Sequence, residues 1–127
     1  MSQYFGVGDV TLWNPSHSVA LLFARTVEAM VPLADQPSGV TDLHGDEYQV
    51  DPALFAAFVD TLVRRYLGPS HPVLRTLMQG FLATALVLVE RAGGTVAALD
   101  EAIELGPAGD AAHLRHLAGE LAPRMPH

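Results

Sequence analysis

The chain has 127 residues, half of them apolar, and a formal charge of −7 from 14 acidic and 7 basic residues. It is long enough to bury one core without a metal or disulfide staple and too apolar to be disordered. The absence of cysteine excludes a disulfide framework and a thiol nucleophile, and an acidic chain whose densest basic spot is Arg64-Arg65 is repelled by nucleic-acid phosphates.

Residues 4–13, YFGVGDVTLW, place aromatic and β-branched residues on both sides of Gly8-Asp9, which predicts a short β-hairpin. Residues 1–10, MSQYFGVGDV, carry no basic side chain and no apolar run, so no signal peptide is expected. Asn14-Pro15 predicts a capped helix start. Val19, Leu22, Phe23, Thr26, Val27 and Met30 then fall on one helical face, with Arg25 and Glu28 opposite, and Pro32 is expected to stop the helix.

Residues 32–47 read as an irregular acidic stretch, with Tyr48-Gln49-Val50 as a candidate third strand beside the hairpin. Asp51-Pro52 repeats the cap-and-proline start. The second helix carries Phe55, Phe58, Val59, Leu62, Val63 and Tyr66 inward and an Asp60–Arg64 pair outward, and ends at Gly68-Pro69.

Ser70-His71-Pro72 opens a third helix over 72–92. Its apolar arc is wide, with Leu77 and Phe81 near the middle, which marks it as the central helix. The uncharged stretch of its apolar run, 76–89, is shorter than the roughly 20 residues a bilayer requires, so no membrane span is expected. Thr95 is expected to cap a fourth helix with Val96, Leu99 and Ile103 inward, closed by Gly106-Pro107. Asp110 is expected to cap a fifth with Leu114, Leu117, Ala118 and Leu121 inward.

The segments SQYFGVGDVTLWNPS and FVDTLVRRYLGPSHPVLRTLMQGFLATALVLVERAG resemble a small actinobacterial family of unknown function and of about this length. The resemblance covers the first 94 residues. It implies no activity, so no functional residue is carried over from it.

Three clusters could carry chemistry. Asp42, His44 and Asp46 alternate as calcium ligands do, but the glycine and distal glutamate of a calcium loop are missing. His113, His116 and Glu120 share one helical stripe without a fourth donor. Both read as solvated polar segments, and no metal or other cofactor is expected. The third cluster joins the starts of helices one and three. A helix N-terminus offers free N–H groups and favours a neutral imidazole. If the two starts met, Trp13, Asn14, His17 and His71 would line a small pocket. No nucleophile elbow and no phosphate loop is present.

These readings predict an α+β, mainly helical domain over 1–122. It has a short N-terminal β-hairpin, a third strand near 48–50 and four to five helices around the third, with 123–127 as a frayed tail. The charge and the missing catalytic motifs point to a non-catalytic, cytoplasmic, acidic interaction module that binds another protein, immunity- or regulator-like. The alternative is a small enzyme or small-molecule-binding protein using the pocket at the two helix starts. The sequence leaves homo-oligomerisation open.

Overall fold

The computed structural model describes residues 3–106 and 109–127. Strands β1 (Tyr4–Val7) and β2 (Val10–Trp13) form the expected hairpin, closed by Gly8-Asp9. Gly8 has φ 56°, a left-handed conformation that a two-residue hairpin turn demands and glycine adopts freely.

Helix α1 (His17–Ala34) begins two residues later than expected. Ser16, not Asn14, is its N-cap, and no side chain caps it. The Asn14 N–H instead donates to the Pro126 carbonyl at 2.7 Å. Pro32 lies inside the helix and does not stop it. Proline removes one hydrogen bond, yet the helix runs on to Asp35, whose left-handed φ of 52° ends it.

The acidic stretch contains an unexpected strand, β3 (Val40–Asp42), which forms a hairpin with β4 (Glu47–Val50). The sheet order is β2-β1-β4-β3, with β1 and β4 parallel. Gly39 makes the entry to β3 possible. Its φ is 78°, and a Cβ there would come within 2.8 Å of Leu54 Cβ.

Helix α2 (Pro52–Leu67) starts as the sequence predicts, with the Asp51 carboxylate accepting the Leu54 N–H. Helix α3 (Pro72–Arg91) is capped by His71, whose Nδ1 accepts the Val73 N–H at 3.1 Å. Its C-terminal half is the centre of the molecule, since every residue from Phe81 to Val89 except Thr84 is buried. Its N-terminal half is not, because Val73 and Leu77 stand out in solvent.

Helix α4 (Ala97–Leu105) follows an N-cap at Val96 rather than Thr95. Its cap comes from another helix: Asp60 Oδ1 on α2 accepts the Ala98 N–H at 2.8 Å. The expected stop at Gly106-Pro107 is half visible, since Gly106 is the C-cap and Pro107 lies outside the described residues. Helix α5 (Asp110–Leu121) is preceded by Gly109 as its N-cap.

The tail does not fray. A 3₁₀ turn spans Ala122–Arg124, Met125 is 5% exposed, and Pro126 receives the Asn14 N–H. By length and hydropathy, α1 and α3 each reach what a bilayer crossing needs, with best-window mean hydropathies of 1.2 and 1.6. The short uncharged run concealed this, because α1 tolerates Arg25 and Glu28 within an otherwise apolar helix. Half of the α3 window is buried inside the fold.

Candidate functional site

A column of aromatic rings runs from the sheet to the helices. Tyr48 stacks on Phe5 at 4.5 Å between centroids, and Phe5 stacks on Trp13 at 5.4 Å. Trp13 meets Phe23 edge-on at 5.3 Å, and Phe23 stacks on Phe81 at 5.3 Å. Stacked and edge-to-face pairs at these distances add attraction beyond the area they bury. The column fixes α1 against α3 through Phe23 and Phe81.

Above those two rings lies an open groove of ≈ 430 Å³. Its floor is Trp13, Phe23, Phe81 and Met125, all buried. One wall is Val19, Leu22 and Thr26 of α1, and the other is Leu77, Gly80 and Thr84 of α3. Leu22 and Leu77 are each 70% exposed. The helical spacing of Val19, Leu22 and Thr26 placed all three in the core, and the structure corrects this. Ala20, Ala24 and Ala34 take the buried positions on α1 beside Phe23, Val27 and Met30.

The groove is apolar even where its residues are not. The Thr26 hydroxyl donates to the Leu22 carbonyl at 2.7 Å, and the Thr84 hydroxyl to the Gly80 carbonyl at 2.9 Å. Both side chains satisfy their polar atom within their own helix. Arg124 is the charged residue in the lining. A Cβ at Gly80 would meet nothing within 4 Å. Glycine in a helix interior costs about 0.5–1 kcal/mol relative to Ala, and no neighbour in the fold requires it here.

Of the expected pocket residues, Trp13 lines the groove and the others do not. His17 lies at the sheet, 3.4 Å from Gln3 Nε2. His71 lies ten residues before Phe81, about 15 Å away along the axis. The C-terminal end of α3, not its start, reaches the sheet, where Arg91 donates to the Leu12 carbonyl. The two helix starts therefore do not meet, and Asn14 is tied to the tail.

Neither acidic or histidine cluster converges on a point. Asp42 Oδ1 accepts the His44 N–H, while Asp46 accepts from Gln3 Nε2. His116 Nε2 lies 3.0 Å from Glu120 Oε1. Among the described residues no group of three His, Asp or Glu side chains comes together. Several carboxylates are matched by arginines, in the pairs Arg25–Glu28, Arg64–Asp60, Arg75–Asp110 and Arg115–Asp100.

The groove residues that the sequence reading did not single out are Gly80, Thr84 and Arg124. A glycine in the middle of a strongly apolar helix was the available signal for the first.

A family model described as a family of unknown function (DUF6086) matches residues 1–127. No curated protein and no solved structure matches the chain.

Proposed function

We propose that this chain, which belongs to the DUF6086 family of unknown function, is a non-catalytic interaction module that binds one amphipathic helix of a basic partner protein in the α1–α3 groove. One observation carries this reading: Leu22 and Leu77, each 70% exposed, flank a floor of buried aromatic rings. Large apolar side chains held in solvent around a recess mark a contact surface, and the few side chains that become buried on binding carry most of the energy of such contacts.

The occupant follows from shape and charge. Two walls with helical i, i+3, i+7 spacing form a trough that fits the apolar face of a single helix. The chain's charge of −7 attracts a basic partner and repels a second copy. It also opposes an anionic membrane surface, which a recessed site fits poorly. The rival enzyme reading needs the starts of α1 and α3 to share a pocket, and those ends lie apart.

Calorimetry with a synthetic amphipathic helix of leucine and lysine tests the proposal. Saturable one-to-one binding is expected, weakened at least tenfold by Leu22→Glu or Leu77→Glu in variants that keep the wild-type melting temperature. Binding insensitive to both substitutions overturns the proposal. So does a dimer by light scattering that Leu77→Glu dissociates, or pelleting with neutral vesicles that Leu77→Glu abolishes, since either assigns the face to another occupant.

A further inference from the structure

Helix α4 packs on α2 and α5. The space between it and the C-terminal half of α3 is a half-open cavity of ≈ 790 Å³, within the range of small-molecule sites. Its walls include Leu86, Val89, Val96 and Leu99, all buried. Arg91 also lines it. Its Nη1 donates to the Leu12 carbonyl at 2.8 Å and its Nη2 to the Ala122 carbonyl at 3.0 Å.

Those two bonds occupy part of a guanidinium that carries five donors. Among the described residues Arg91 pairs with no carboxylate, as is also true of Arg65 and Arg124, whereas Arg25, Arg64, Arg75 and Arg115 each do. Partial burial works against its charge and pushes its pKa down. The guanidinium is partly buried and still partly in water, and an anion beside it would gain charge-assisted hydrogen bonds. Glu90 and Asp100 also line the cavity, but Asp100 is held by Arg115 and Glu90 is exposed.

Gly119, on the α5 wall, adds an independent sign. A Cβ there would meet nothing within 4 Å, so no neighbour in the fold requires glycine in the interior of this helix. Glycine is nevertheless destabilising there relative to Ala, and it leaves the exposed rim of the cavity without a side chain.

We infer that the cavity between α3, α4 and α5 binds a small amphiphilic anion, with an apolar chain along Leu86, Val89, Val96 and Leu99 and a carboxylate on the unused donors of Arg91. Arginine suits a carboxylate because its planar fork can donate two parallel hydrogen bonds. The site is separate from the α1–α3 groove and does not depend on the reading of that groove.

Decanoate titrated into the full chain by calorimetry, with 1-decanol as the matched neutral probe, tests this inference. One decanoate per chain is expected, at least tenfold tighter than 1-decanol and raising the melting temperature as a ligand of the native state must. Gly119→Leu, which places a bulky side chain at the rim of the cavity, should weaken decanoate binding at least tenfold while the protein still melts cooperatively. Arg91→Met should erase the preference for decanoate. If that variant fails to fold, the two head groups and Gly119→Leu still decide. Equal affinity for the two probes, no saturable binding, or binding unchanged by Gly119→Leu overturns the inference. Loss of binding in Leu77→Glu also overturns it, by placing the ligand in the groove.

Discussion

Phe23 and Phe81 stack at 5.3 Å between ring centroids with their planes 26° apart, and this contact joins the two helices whose outer faces form the groove. Phe81→Ala should therefore lower stability by about 3–5 kcal/mol, a large share of a typical total of about 5–15 kcal/mol. Leu77, one turn earlier on the same helix and 70% exposed, should tolerate Ala within about 0.5 kcal/mol. Urea denaturation of both variants checks the pair. A large loss at Leu77 would mean that its side chain is covered.

Asp60 links two helices that are distant in sequence. One carboxylate oxygen accepts the Ala98 N–H at 2.8 Å, and the other accepts from Arg64 Nε at 2.9 Å. Asp60→Ala should cost about 1–2 kcal/mol through the lost cap and should speed amide exchange at the start of α4. Arg64→Ala should leave the melting temperature close to wild type, because that ion pair is solvent-exposed. Thermal melts with hydrogen exchange on both variants separate the cap from the pair.

Where local chemistry decides, the sequence was informative. Gly8-Asp9 closes a hairpin, Asp51-Pro52 starts a helix, and His71-Pro72 starts another. Where distant parts decide, it was not. Periodicity identified the apolar arcs of α1 and α3, but no neighbour covers all of either arc, so Val19, Leu22 and Leu77 were placed in the core. The β3 strand has three residues, none of them fully buried, and so no alternation to read. Trp13 is a site candidate in the sequence because it adjoins the expected start of the first helix. His17 and His71 were joined to it by an assumed meeting of helix ends that the chain topology does not produce.

Alkaline stability should depend on two tyrosines. Burial raises the Tyr48 pKa above 10.0, with the charge of Asp42 adding to the effect. Burial raises that of Tyr66 as well, with Asp110 adding. A group whose pKa is higher in the folded state contributes stability that is complete below the unfolded value and is lost as pH rises through the folded one. Stability should therefore begin to fall near pH 10 and continue downward through the raised values. Urea midpoints measured across that range for wild type and for the Tyr48→Phe, Tyr66→Phe double variant check this. The double variant should show a shallower decline.

Met125 ties the C-terminal residues to the core and to the groove floor. Met125→Ala should cost about 2 kcal/mol or more and should also weaken binding of the leucine–lysine helix, since it removes floor from the site. Denaturation and calorimetry on this variant test both effects. A fully wild-type melt would mean that the tail is not docked.

The central claim is that a helix seats itself on the rings between α1 and α3. Trp13 is the chain's only tryptophan, is 4% exposed and lies in the groove floor, so its emission reports the site itself. The direct measurement titrates the protein with the leucine–lysine helix carrying bromophenylalanine at one apolar position, because bromine quenches indole only at close contact. Saturable quenching of Trp13, absent for the same helix without bromine and lost in Leu77→Glu, is the expected result. Binding that leaves Trp13 emission unquenched would place the helix elsewhere and contradict the account.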